Sequence, residues 1–134
     1  MMKGKALEQS ILANISKQEL IDLTRRLVAF KSENPPADYT AIAQFLHHEY
    51  QTAGLEVQIV AGQQDKPNVC ARWKGSGEST EILLLSGHMD VVPSGESWSH
   101  DPFDATVINN CLSGRGTADM KGALAAQLLA VKAL

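Results

Sequence analysis

Cysteine is nearly missing from this chain. Cys70 and Cys111 are the only two, far apart and in no C-x-x-C pairing, so a disulfide framework is not indicated. They read as reduced, buried thiols of a cytoplasmic protein. A basic surplus is missing too. Twelve Lys and Arg stand against fifteen Asp and Glu, a net charge of -3, so neither nucleic acid nor an anionic membrane surface is an expected partner. Long apolar runs are missing as well. Glu8, Gln9, Ser10 and Asn14 interrupt the first sixteen residues, which therefore lack the unbroken apolar core expected of a signal peptide, and no later run is long enough to cross a bilayer. No internal repeat, low-complexity tract or Gly-x-Ser-x-Gly elbow is present, the last excluding a common serine-hydrolase design. What remains is 134 residues, 44% hydrophobic and 20% charged, the make-up of one globular domain with one core.

Ser16-Lys17-Gln18-Glu19 is a capping box, and Leu20, Leu23 and Leu27, with Ile21 and Val28, follow at helical spacing. That helix should stop near Phe30, ahead of Asn34-Pro35-Pro36. Asp38 reads as the N-cap of a second helix with Ile42, Phe45, Leu46 and Tyr50 as its buried stripe and Gly54 in its left-handed C-terminal turn. His47 and His48 adjoin each other beside that stripe and read as solvated. Strands are expected over 55–60 and 68–74, joined by a turn from Gly62 to Pro67. Asn109-Asn110 should turn a short hairpin between Thr106-Val107-Ile108 and Cys111-Leu112. A helix apolar nearly all round should run from Met120 to the end, covered on both sides. It carries no stop signal, so more chain is expected beyond Leu134.

The stretch from Ile82 to Gly122 organises the rest. Ile82-Leu83-Leu84-Leu85 reads as a buried strand delivering His88 and Asp90 at its C-terminal end. Side chains alternate along a strand, so these two leave the same face while Met89 points away. Ser113-Gly114-Arg115-Gly116-Thr117-Ala118-Asp119 is a glycine-rich turn that places Asp119 at a helix start. Imidazole nitrogen and carboxylate oxygen suit zinc and its neighbours, which makes His88 and Asp119 candidate metal ligands. Asp90 can accept the other N–H of His88, fixing its tautomer. As a phosphate loop the glycine turn fails. The dinucleotide fingerprint needs Gly where Asp119 sits, and Gly-Lys-Ser/Thr is absent.

Ser86-Gly87-His88-Met89-Asp90-Val91-Val92-Pro93, then Trp98, Asp101-Pro102-Phe103, and Gly114-Arg115-Gly116-Thr117-Ala118-Asp119-Met120-Lys121-Gly122 together closely resemble the M20 family of zinc metallopeptidases, deacetylases and other deacylases. A weaker likeness runs upstream through Phe30–Pro36 and Gly54–Val57. The resemblance implies an α/β fold, the N-terminal part of a Zn-peptidase-like catalytic domain with a mixed sheet flanked by helices. It implies that His88 binds one of two zinc ions (cobalt or manganese being possible), that Asp119 bridges both, and that Asp90 orients His88. It also implies a cis peptide bond after Asp119, and Trp98 and Phe103 packing the loop behind the metal strand as plain core anchors. The implied reaction is hydrolysis of an amide by a metal-held water, with a glutamate as general base.

The family takes that base from a Glu-Glu pair, and this chain has none. A later acidic ligand, a distant His ligand and an inserted dimerisation domain are also missing. Glu96 and His100 lie in a loop of Pro, Ser and Gly between the motifs and read as loop residues, not replacements. The expectation is therefore residues 1–134 as the N-terminal portion of a catalytic domain, inactive alone. The full-length protein would be a cytoplasmic homodimer acting on N-acyl amino acids or short peptides. The rival reading is a non-catalytic binding or assembly module that keeps the hydrolase scaffold.

Overall fold

The computed structural model describes residues 2–134, with side chains from Gly4 onward. Helices α1 (Met2–Ala13), α2 (Lys17–Val28) and α3 (Thr40–Thr52) precede strands β1 (Glu56–Ala61) and β2 (Pro67–Arg72). Strands β3 (Thr106–Ile108) and β4 (Cys111–Ser113) come next, then a turn over Thr117–Lys121 and helix α4 (Gly122–Ala133). The class is α/β, as expected, with β1–β2 and β3–β4 as antiparallel pairs and one parallel bridge between Glu33 and Val91. The chain divides into two compact units, one running up to Lys31 and resuming over Ser94–Leu134, the other Ser32–Pro93.

In the first unit α2 packs against α4. Ser16 caps α2, its hydroxyl accepting the Glu19 N–H at 3.3 Å, and the helix ends close to where Asn34-Pro35-Pro36 led one to expect. Leu23, Leu27 and Val28 of α2 and Leu124, Ala125, Leu128 and Leu129 of α4 are buried. Fully burying a leucine such as Leu27 or Leu128 contributes roughly 1.5–3 kcal/mol, so this seam holds the unit together. Lys132 of α4 pairs with Glu19 of α2. The α4 helix starts two residues later than expected, and Ala126, Ala130 and Leu134 are exposed, so the cover expected on both sides is present on one. Asn109 and Asn110 both adopt positive φ, 50° and 62°, the tight turn that the β3–β4 register requires. Helix α1 was not foreseen. Exposed along most of its length, it lacks the apolar stripe by which sequence reveals a helix.

In the second unit Ile42, Ala43 and Leu46 of α3 are buried, and α3 packs on the β1–β2 hairpin. Phe45 and Tyr50 are half-buried at the edge of that stripe. Tyr39, not Asp38, holds the N-cap position, but the Asp38 carboxylate still accepts the Thr40 N–H at 2.9 Å. That bond holds the Asp38 carboxyl below its usual value. Gly54 ends α3 at φ 85°. His48 is exposed, as expected, and His47 is half-buried.

Two further expectations fail. Ile82–Leu85 is not a buried strand. Ile82, Leu83 and Leu84 are 89%, 84% and 81% exposed, and no ladder among the described residues includes them. An apolar strand is buried only when neighbours pair with both its edges and helices cover its faces, and β1 and β2 here pair with each other. Cys70 and Cys111 are free but exposed, because each sits in a two-stranded hairpin with an open face.

Burial pushes the half-buried Tyr50 phenol up from its ordinary value of 10.0. A raised folded-state value means stability that is complete below the unfolded phenol's pKa and is lost as pH climbs through the folded one. Denaturant unfolding between pH 9 and 11 should therefore show an alkaline loss that shrinks in Tyr50→Phe. An identical alkaline loss in both proteins would contradict this.

Candidate metal-ligand and hydrolase site

The site residues of the second unit are set by a short pairing. Val91 N–H donates to the Ser32 carbonyl at 2.9 Å, and Asn34 N–H donates to the Val91 carbonyl at 2.8 Å. The Ser32 hydroxyl donates to the Met89 carbonyl at 2.6 Å. Residues 89–91 are thus tied to 32–34 although the run before them is unpaired. From this anchored end His88 and Asp90 meet. Nδ1 of His88 lies 3.0 Å from the Asp90 carbonyl and 3.2 Å from its Oδ1. Both neighbours are acceptors, so in the neutral ring the proton sits on Nδ1 and the lone pair on Nε2. The two side chains are partly open to solvent, 46% and 32%.

Of two residues beside Asp90, Asn34 was read from sequence as part of a helix stop and Tyr39 was not singled out. Asn34 Nδ2 donates to Asp90 Oδ2 at 3.4 Å. Tyr39 has its phenol pushed up by burial and by the Asp90 charge. Nothing in their local sequence signals this role, since the pairing of 32–34 with 89–91 is what brings them there.

Asp119 belongs to the other unit. It is exposed within the turn Thr117–Lys121, in extended and not helical backbone (φ -128°, ψ 95°). The peptide bond to Met120 is cis, as the resemblance implied. Lys121 N–H donates to the Gly116 carbonyl at 2.8 Å, and Gly122 N–H to Thr117, so the turn is wider than an α-turn. Gly116 enters it at φ 85°. At Gly122 a Cβ would collide with the Thr117 carbonyl, which is why the helix after Asp119 begins with glycine.

The loop between the motifs is packed, not poised for ligation. Trp98 Nε1 donates to the Ser94 carbonyl at 2.7 Å, and Phe103 is 8% exposed, so Phe103 is the core anchor and Trp98 a half-buried one. His100 meets Trp98 edge-on at 5.7 Å with Nε2 3.3 Å from the Ser113 carbonyl, and Glu96 is exposed. Arg115, which sequence did not single out, lies 5.4 Å over the Trp98 ring and donates from Nη2 to Ser94 at 3.2 Å. Imidazole and carboxylate are donors that zinc accepts. Among the described residues, however, no three of His, Cys, Asp or Glu are grouped to hold a metal ion. The donor chemistry fits a metal, and the donor number falls short of a full set.

Residues 84–134 match the model of "Peptidase family M20/M25/M40". The whole chain aligns, at 42% identity over 140 residues, with 33% of an N-formyl-4-amino-5-aminomethyl-2-methylpyrimidine deformylase of Halalkalibacterium halodurans. The Bacillus subtilis protein of that name is 36% identical over 87% of this chain and 28% of its own length. A succinyl-diaminopimelate desuccinylase of Orientia tsutsugamushi (strain Ikeda) is 38% identical over 87% of this chain and 30% of its own. The chain belongs to the M20/M25/M40 peptidase family. It spans about a third of the length of the curated relatives it matches.

Two outcomes follow from this geometry. In the imidazole ¹⁵N spectrum at pH 8, His88 should be mainly the Nδ1–H tautomer, and a ring protonated mainly at Nε2 would refute the arrangement. Gly122→Ala should cost about 1–3 kcal/mol of unfolding free energy, whereas Gly4→Ala, with open space around it, should cost nothing. Equal effects in a denaturant titration would contradict the crowding at Thr117.

Proposed function

We propose that the chain is the N-terminal portion of the catalytic domain of a metal-dependent amide hydrolase. In this reading His88 ligates through Nε2 and Asp119 through its carboxylate, while Asp90 orients His88. The observation that carries the reading is the engagement of His88 Nδ1 by two Asp90 acceptors, which leaves Nε2 as the ligating nitrogen. A pair of zinc ions, with cobalt or manganese as alternatives, would polarise an acyl carbonyl and acidify a water. What this chain's own residues do is hold one imidazole in a single tautomer and present one carboxylate from a tightly bonded turn. The substrates would be small N-acylated amines, amino acids or short peptides among them. Support comes from the relatives, a deformylase and a desuccinylase among them. The full-length protein would be cytoplasmic and homodimeric.

The general base and the remaining ligands would lie in the two-thirds of the family's length that this chain does not span. The 134-residue chain should therefore bind zinc weakly and turn over nothing measurable. Calorimetric zinc titration and hydrolysis of N-formyl, N-acetyl and N-succinyl amines with zinc or cobalt check both parts. Metal-dependent turnover at enzyme-like rates would overturn the inactive-portion reading. Zinc binding undiminished in His88→Ala and in Asp119→Ala would overturn the ligand assignment.

A further inference from the structure

Lys121 is fully buried, 0% exposed, and is the largest of the fully buried side chains. Burying an ammonium is unfavourable unless it is well hydrogen-bonded. Its Nζ donates to the Phe30 carbonyl at 2.6 Å, within the same compact unit. Phe30 lies just past the end of α2, whose final carbonyls lack donors inside the helix and form the negative end of its dipole. A cation is favoured there. An apolar residue of equal length would fill the slot without the desolvation cost, and such replacements are often neutral or stabilising. Packing alone therefore gives no reason for a lysine at this position.

The position of Lys121 in the turn supplies one. Its N–H closes the turn onto Gly116, and its side chain fixes the turn to α2. Asp119 lies inside the turn that the Lys121–Gly116 bond closes, two residues from Lys121, in backbone that no helix holds. We propose that Lys121 is a positioning residue for Asp119: its ammonium, seated on the Phe30 carbonyl, fixes where the turn presents that carboxylate. The proposal rests on the ligand role proposed for Asp119 and adds the device that holds it.

Lys121→Met keeps the length of the side chain and removes the ammonium. Its melting temperature, the backbone amide spectrum and zinc affinity are to be compared with the parent chain. The expected result is a retained fold, amide shifts concentrated in residues 116–122, and zinc affinity lower by about tenfold or more. Alkylating Lys121→Cys with 2-bromoethylamine in denaturant, in a background with Cys70 and Cys111 changed to Ser, rebuilds an ammonium of lysine length. After refolding it should restore the parent's turn signals and affinity. Turn amides and zinc affinity unchanged in Lys121→Met would overturn the proposal, as would a failure of the rebuilt ammonium to restore them. If Lys121→Met does not fold, the parent chain decides through a scalar coupling across the hydrogen bond from Lys121 ¹⁵Nζ to Phe30 ¹³C′. Its presence supports the anchor, and its absence overturns it. If the parent binds no zinc, the ligand reading of Asp119 fails by itself, and the turn amides alone decide on the anchor.

Discussion

Everything chemical about the second unit depends on how residues 89–91 are held against residues 32–34. Three hydrogen bonds do it, from Val91 to Ser32, Asn34 to Val91 and Ser32 to Met89. They fix the backbone on either side of Asp90, and Asn34 then reaches the Asp90 carboxylate. An aspartate so held can define the orientation of a neighbouring imidazole, which it meets at Nδ1 through two acceptors. A histidine with one nitrogen engaged in this way has one orientation and one basic nitrogen, and metal-binding histidines need both properties. The orientation of the His88 ring is therefore a product of backbone pairing as much as of the histidine.

The same pairing shows what a strand needs in order to be a strand. Ile82–Leu85 has the composition of a central strand, and it is the exposed part of the segment. Residues 89–91, less apolar, are the paired part because 32–34 supply hydrogen-bond partners. Helix α4 makes the parallel point for helices. Leu124, Leu128 and Leu129 are buried within the first unit, while the Ala126 and Ala130 face is open. Both segments carry more apolar surface than the elements around them cover, in a chain that spans a third of its relatives' length.

Local signals in the sequence were legible where local chemistry decides. The Ser16 cap, the Asn109-Asn110 turn, the glycine ending α3 and the Asp90 contact with His88 all follow from residues within a few positions of each other. Features that depend on distant residues were not legible. Asn34 and Tyr39 join Asp90 across more than fifty positions, Lys121 reaches Phe30 across ninety-one, and Arg115 covers Trp98 from another loop. The Ile82 strand failed for the related reason that burial belongs to a strand's neighbours, which composition does not reveal. Helix α1 escaped notice because an exposed helix needs no apolar stripe.

The central claim is that Asp90 engages His88 at Nδ1 and so leaves Nε2 as the nitrogen that meets a metal. A zinc titration followed through the ring ¹⁵N signals of His88 tests it most directly. The account expects the Nε2 signal to move while Nδ1 keeps its proton, with the exposed His48 ring unmoved. Zinc bound at Nδ1, or a His88 ring that does not respond while His48 does, would contradict it.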